Sequence, residues 1–409
     1  MSVPAAPGET ADVTHDGAAA AIASARRAAV ADRYASLVAE WQPLAALAPL
    51  AEEWRALAAH ALEPNVFYEP AFALPAAAVF GRDAGAVLVW SSDSPRRLLG
   101  LFPARIEPRR YGMKLPVLVG WTHPYAPLGT PLLDREAAEP VIAAWLGFLA
   151  EAKDFPGLLL LPLLPEYGPF ATAFAGVLKR LQRDEAVFDR HRRAQLVPRE
   201  FRAYYVERAM GSRKRKELRR LGHRLAELGA MLFTTARDPA AVAAALDDFL
   251  DLEAAGWKGK AGTAALQHDA IRGFIRAALV ELAATGQVAI DRMLVDGRAI
   301  AATVTLRSGE AAWFWKIAYD EAFARYSPGV MLTVAVTEAL VDDTGIARTD
   351  SCATADHPMI DRIWRERLTL ADRYVALRPG APFRRGRGLE GARRAVFARL
   401  KKLRALLRR

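Results

Sequence analysis

Apolar positions along this chain switch between two spacings, and the switches mark its elements. Leu47, Leu50, Trp54, Leu57 and Leu62 recur at helical spacing, which predicts a helix over 43–62, and a second helical piece covers roughly 70–80. AVLVW (86–90), RLLGLFPARIE (97–107) and KLPVLVGW (114–121) read as strands, the first two joined by the turn residues SSDSP. A helix at 136–150, a buried strand LLLLPLL at 158–164, a helix at 168–182 and a short strand at 185–190 complete the first half. The second half opens with an amphipathic helix, SRKRKELRRLGHR (212–224), whose stripe is Leu218, Leu221, Leu225 and Leu228. The strand MLFTTA (231–236) and helices at 239–255 and 264–285 follow. Strands at 288–295 and 299–307 are joined by Asp296-Gly297, a strong hairpin signal. The strongly aromatic strand Ala312–Ala318, a helix at 328–342, a strand at 347–353, a helix at 357–368 and a last strand at 370–378 close the pattern.

Both halves spell one order: helices, three meandering strands, helix, strand, helix, strand. The second half also has a strand in front. This predicts an α/β fold with an internal structural duplication and a boundary near 190–205, without the short periods of a solenoid. The division is a disordered leader (1–35), an N-terminal domain (36–195), a C-terminal domain (196–380) and a basic tail (381–409).

Composition narrows the class. Of 409 residues, 52% are hydrophobic and 25% charged, a globular balance. One cysteine, Cys352, excludes a disulfide framework and points to a reducing, cytoplasmic setting. No run of about 20 apolar residues is present to span a bilayer, and the N-terminus lacks the pattern of a secretory signal. The net charge of +10 belongs to the tail: residues 384–409 hold eleven Lys/Arg and one acid, Glu390. Val396, Leu400, Leu403 and Leu407 form one stripe among those cations, the pattern of a helix lying on an anionic membrane at its inner face, or of a partner-binding helix. The seven histidines show no ligand spacing, so no metal is expected.

The stretch 311–332, AAWFWKIAYDEAFARYSPGVML, organises the rest. A strand there delivers the chain to a helix that opens at Ser327-Pro328, with Ser327 as N-cap and Pro328 in the first turn. A bare helix N-terminus beside Arg325 is an anion site in outline, suited to cofactor phosphates.

At residue level, DLEAAGWKGKAGT (251–263), KIAYDEAFARYSPGVML (316–332) and SRKRKELRRLGHRLAELGA (212–230) resemble the FemAB-type and cellulose-biosynthesis CelD-type (BioF2-like) acetyltransferases, which are tandem GNAT proteins. PNVFYEP (64–70) and GWTHPYAPLGTPLLD (120–134) resemble the same group, so the likeness covers roughly 40–380. It implies two tandem GNAT-like domains, each a mixed, mostly antiparallel sheet flanked by helices. It also implies that acyl-CoA enters where the fourth strand splays from the fifth. Carried over, the cofactor-binding positions are Arg325, Tyr326, Ser327, Gly329 and Val330. The loop departs from the usual Gln/Arg-x-x-Gly-x-Gly/Ala: it supplies only Gly329, and Pro328 removes a donor. A second departure is Asp356-His357-Pro358, where relatives carry an Asp/Glu-Tyr-Lys pattern.

Acyl transfer needs a base for the acceptor, donors for the oxyanion and an acid for the leaving thiolate. The candidates are Asp320 just past the central strand, Asp350 and Asp356 at or beyond the next one, and His357. Asp320 also suits a plain loop residue, and Asp356 a helix N-cap. Lys316 inside an aromatic strand must be paired or reach the cleft, and Tyr319 lies on the opposite face. Glu253, Trp257 and Lys258 flank a Gly-rich loop suited to covering a substrate or to an ordinary surface turn.

The expected function is acyl-CoA-dependent N- or O-acylation, acetyl-CoA being the leading donor. The expected acceptor is a polysaccharide, lipid or cell-envelope precursor, attacked directly without a covalent enzyme intermediate. The rivals are a FemAB-type aminoacyl-tRNA-dependent transferase, the one reading that involves nucleic acid, and a non-catalytic membrane-associated scaffold.

Overall fold

The computed structural model describes residues 37–198 and 204–406, so the leader expected over 1–35 lies outside the described residues. The N-terminal half contributes β1 (Val38–Pro43), β2 (Ala84–Trp90), β3 (Leu98–Glu107), β4 (Val117–Gly120), β5 (Leu132–Leu133), β6 (Leu158–Pro165) and β7 (Glu185–Leu196). The C-terminal half contributes β8 (Met231–Ala236), β9 (Val288–Val295), β10 (Arg298–Ser308), β11 (Ala311–Tyr319), β12 (Arg348–Asp350) and β13 (Glu366–Ala376). All join one mixed sheet flanked by helices, in the order β1-β2-β3-β4-β6-β13-β7-β12-β11-β10-β9-β8, with β5 alongside β3. Two pairings are parallel, β4 with β6 and β11 with β12, and the rest are antiparallel.

The order shows how the duplication is assembled. Each half builds a meander, then a parallel strand, then receives its last strand from the other half. β13 seats against β6, β7 seats against β12, and β7 and β13 pair along the middle of the sheet. A front strand is present in both halves. β1 was hidden in the sequence because VAEWQP is a short edge strand with polar residues and a terminal proline.

Local chemistry accounts for most elements. Asp238 accepts the Ala241 N–H and Pro239 occupies the first turn, which starts the helix Pro239–Ala255 where the pattern places it. Asp296 and Gly297 both adopt positive φ, 47° and 79°, as a tight two-residue hairpin turn requires. β2 and β4 are buried at every position because both sheet faces are covered, and their sequences are accordingly continuous apolar runs.

Three expectations are corrected. The helix over 43–62 is a helix only at Ala51–Ala59, preceded by two short 3-10 turns, because Pro43 and Pro49 break its start. The strand expected at 185–190 runs on to Leu196. The helix expected at 357–368 is an irregular segment with one 3-10 turn, Ile360–Arg362. Its helical spacing arises because Ile360, Ile363 and Trp364 reach one buried cluster, where Trp364 donates from Nε1 to Thr337 at 2.9 Å.

One face of the sheet carries a core that both halves build. Phe67, Phe72 and Trp121 pack with Phe249, Phe274, Trp313 and Trp315, and the Phe67 and Trp313 rings meet edge-on at 5.8 Å. The sequence 121–131 runs over this face and reaches across to β11.

Candidate active site

β11 pairs with β12 through only three residues, Ala311 to Trp313 against Arg348 to Asp350. From Phe314 to Tyr319 it has no partner on that side, so the strands open as a wedge. On its other side β11 carries a bulge: Val304 pairs Lys316 and Thr305 pairs Phe314, leaving Trp315 as the extra residue. A bulge re-aims side chains where a strand must present them. Trp315 donates from Nε1 to the Tyr125 carbonyl at 2.9 Å, which ties the bulge to the first half.

Lys316 lies on the Tyr125 ring, its Nζ 4.3 Å from the centroid, and 5.1 Å from the centroid of Trp315. Its Nζ is 4.0 Å from Oε1 of the buried Glu253. The same Oε1 accepts from Lys258 Nζ at 2.6 Å, and Oε2 accepts the Ala265 N–H at 2.9 Å. Burial, with repulsion from Lys258, lowers the Lys316 pKa to about 8, against the pull of Glu253 and Cys352. Burial pulls Glu253 upwards, but Lys316 and Lys258 outweigh it and leave the carboxyl below its ordinary range. Burial, aided by Glu253, pushes Tyr125 up to about 12. The geometry thus brings together Glu253, Lys258 and Lys316. Trp257 stays largely exposed beside them, its ring 6.0 Å from Lys258 Nζ.

The Gly-rich loop folds over the end of β11. Trp257–Lys260 forms one helical turn, and Lys260 pairs with Glu321 just past the strand. Gly259 permits the approach, because a Cβ there would lie 1.7 Å from the Ala254 carbonyl oxygen.

The anion site takes a different form from the one expected. Ser327 is left-handed, φ 57° and ψ 46°, and its side chain makes no cap. Its carbonyl instead accepts from Val330 and Met331, both at 3.1 Å, leaving Gly329 N–H as the helix-end donor. A Cβ on Gly329 would stand 3.2 Å from Tyr319 Cδ1, so the small residue lets helix Pro328–Asp342 close on the strand end. Arg325 lies over the Tyr326 ring at 4.8 Å. Helix Ser212–Ala226 flanks this corner, and the two enclose a groove of about 630 Å³ lined by Lys214, Glu217, Arg220, Arg224, Glu227 and Arg325–Ser327. Arg220 pairs with Glu217, whereas Lys214, Arg224 and Arg325 form no ion pair among the described residues. Arg220, helped by Lys214 and Arg224, holds the Glu217 carboxyl below its ordinary range. With Arg325 these cations outnumber the two carboxylates of the groove, which beside a helix N-terminus favours a multiply charged anion.

The acid/base candidates are not brought together. Asp320 accepts the Ala322 N–H at 2.9 Å and pairs with Arg298 at 2.5 Å. Asp350 is buried, paired with Arg193, and accepts the Cys352 N–H at 3.0 Å. Asp356 is exposed at φ 57° and caps no helix, since none follows. His357 Nδ1 faces the Met359 and Ile360 N–H groups at 3.4 and 3.5 Å. Burial drives the Cys352 thiol well above its ordinary range, which removes it as a nucleophile.

Arg193 was missed because it sits in a polar run, HRRAQL, that hides the strand continuing to Leu196. It is buried and donates to the Pro127 carbonyl at 3.0 Å and to Asp350. Beyond it, between the halves, lies a pocket of about 230 Å³ lined by Glu63, Trp313, Gln195, Arg348, Asp350 and Arg367. Burial raises the Glu63 pKa, opposed by the Phe170 N–H and by Arg348. Sequence 121–131 borders three of these features: Tyr125 at Lys316, Pro127 at Arg193, and Leu128 and Thr130 at this pocket.

Residues 212–357 match the family model of the acetyltransferase (GNAT) domain. Among solved structures, FemX superposes with a TM-score of 0.54 at 10% identity, covering 80% of this chain and 95% of that one. The C-terminal domain of an Agrobacterium fabrum protein described as a lysylphosphatidylglycerol synthetase superposes with a TM-score of 0.51 at 12% identity, covering 80% and 91%. At such identities the likeness is one of fold. No curated protein sequence matches the chain. The match and the fold support an acyltransferase with a GNAT-like domain, and the matched region contains the wedge, Lys316 with Glu253 and Lys258, and the basic groove.

Proposed function

We propose that the chain is an acyl-CoA-dependent N- or O-acyltransferase, with acetyl-CoA as the leading donor. The groove of Lys214, Arg224, Arg325 and the Gly329 N–H would hold the donor's phosphates. Its thioester arm would lie along the unpaired edge of β11, reaching Lys316 at the bulge. The observation that carries this reading is that a cation-rich groove adjoins the stretch of β11 left unpaired on its β12 side. The acceptor would approach from the pocket between the halves. Its mix of Glu63, Gln195, Arg348 and Arg367 suits a polar amine or hydroxyl carrier, such as a polysaccharide, lipid or cell-envelope precursor. The resemblance to CelD-type proteins favours the same class.

Within this site Lys316 is placed to handle the proton. Its depressed pKa keeps a substantial neutral fraction near pH 8, able to accept the acceptor's proton as the carbonyl is attacked. The ammonium so formed is held by Glu253 and can protonate the departing thiolate, so that no covalent enzyme intermediate is needed.

Titration with acetyl-CoA followed by calorimetry tests the reading. Heat and a thermal upshift at saturating ligand are expected, and Arg224→Glu with Arg325→Glu should weaken binding at least tenfold. Absence of both heat and thermal shift would overturn it. A second reading, aminoacyl-tRNA as donor, has one observation of its own. Helix Ser212–Ala226 exposes further cations, Arg213, Lys216 and Arg219, beyond the groove. RNA binding with a steep salt dependence, in the absence of acetyl-CoA binding, would select it.

A further inference from the structure

The helix Ala381–Leu406 changes character along its length. Its first part is fastened to the sheet. Phe383 packs on Tyr374, and Glu390, only 1% exposed, accepts from Arg110 Nε at 2.8 Å, from the Tyr111 hydroxyl and from Arg394 at 3.1 Å. Arg394 pairs also with Asp189 and with Asp372 at 3.2 Å. Beyond Arg394 the described apolar side chains face outward. Val396, Phe397 and Leu400 are 53%, 57% and 48% exposed, with Arg399 exposed among them. The side chain of Leu403 and all of 407–409, on which the expected stripe also drew, lie outside the described residues.

A second element joins the same surface. The turn after β3 presents exposed Arg109, Tyr111, Met113 and Lys114, closed by the Arg110–Met113 bridge. Arg393 lies over both the Tyr111 ring at 4.4 Å and the Phe397 ring at 4.8 Å, linking turn and helix.

We infer that this face is a docking surface for an anionic lipid bilayer. Five exposed apolar side chains from two elements, Tyr111, Met113, Val396, Phe397 and Leu400, are interleaved with Arg109, Lys114, Arg393 and Arg399. Apolar groups gain by entering the headgroup boundary, while the cations are drawn to a negative leaflet. The Glu390 network holds the helix base rigid, so the surface is presented without first being ordered. Charge complementarity decides against a second copy of the chain: residues 384–409 carry eleven Lys/Arg against one acid, and self-pairing would oppose like charges. Three of the five apolar members, Val396, Leu400 and Met113, are aliphatic and offer nothing for bases to stack on, which favours lipid over RNA. Among the described residues no helix is long and apolar enough to cross a membrane, so the contact is one of lying on the surface.

The test is vesicle flotation with the full chain. Binding is expected to vesicles of phosphatidylcholine with about one third phosphatidylglycerol, at least tenfold tighter than to phosphatidylcholine alone, and to weaken with added salt. Phe397→Asp with Leu400→Asp should reduce binding tenfold or more while the melting temperature and acetyl-CoA binding stay unchanged, both residues being exposed and neither lining the groove. Arg399→Glu, a charge reversal at an exposed position, should give an intermediate loss. The inference is overturned by failure to bind anionic vesicles, by equal binding of wild type and double variant, by RNA binding in place of lipid, or by dimerisation that the double variant abolishes while lipid binding stays absent.

Discussion

Lys316 occupies a position where charge is expensive, and its surroundings explain why it is tolerated. The Tyr125 face, the Trp315 face and Glu253 each stabilise the ammonium, and burial opposes them enough to bring its pKa to about 8. If the neutral amine is the base, kcat/KM rises with pH through about 8 and then levels. Lys316→Met should remove that limb and lower kcat by roughly 100-fold, in the range general-base catalysis supplies, while acetyl-CoA affinity changes little. A pH-independent wild-type rate would contradict the role. His123 makes a separate prediction. It is stacked on Phe80 at 4.4 Å, its Nε2 has no partner, and burial lowers its pKa from 6.5 to about 3. Below pH 6.5 the unfolded chain binds a proton that the native state refuses, so stability is lost as pH falls from 6.5 towards 3. The slope from this group is up to ~1.4 kcal/mol per pH unit. Urea titrations between pH 4 and 7 should show that His123→Phe flattens this dependence.

At the scale of elements, the joint between β7 and β12 is the most exposed to damage. It consists of two paired residues on each strand, backed by the buried Arg193–Asp350 ion pair. Arg193→Ala would leave Asp350 charged and buried without its partner, at a cost of about 3–5 kcal/mol. Replacing both residues with apolar ones of similar volume should cost much less, and denaturant midpoints of the two variants decide it. The same scale shows what could be read beforehand. Helices Pro239–Ala255 and Pro328–Asp342 and the hairpin at Asp296-Gly297 were legible, because caps, prolines and turn residues act within a few positions. Glu253, Lys258 and Lys316 could be nominated singly by charge in an apolar or Gly-rich context. Their convergence on Tyr125 was not legible, because that contact spans almost 200 residues and depends on a bulge whose extra residue, Trp315, looks like any other aromatic. The helix expected at 357–368 failed for a related reason: spacing reports which residues are buried, not which backbone buries them.

For the whole molecule, the exchange of last strands predicts a single cooperative unit. Calorimetry should give one unfolding transition for the two halves rather than two. A fragment of 196–380, the division suggested by the sequence, retains β13 without its partner β6 and β12 without β7. It should be unfolded or aggregated, since both strands would present unpaired edges. Soluble, folded fragment with native acetyl-CoA binding would show that the exchange is dispensable. The duplication itself was legible because both halves repeat one element order. The exchange was not, since either partner for β6 would satisfy the same hydrophobic pattern.

That arrangement also sets a timetable for synthesis. A ribosome releases β6 early, yet the strand that covers its edge emerges only with Glu366–Ala376, roughly 200 residues later. At translation speeds of about 5–20 residues per second, the open edge waits about 10–40 s. During that interval LLLLPLLP is an apolar strand with no neighbour on one side, broken by Pro162 and by Leu163 at positive φ. The nascent N-terminal half is therefore a natural client for chaperones, and a message truncated anywhere before β13 yields an aggregation-prone product rather than a working half-enzyme.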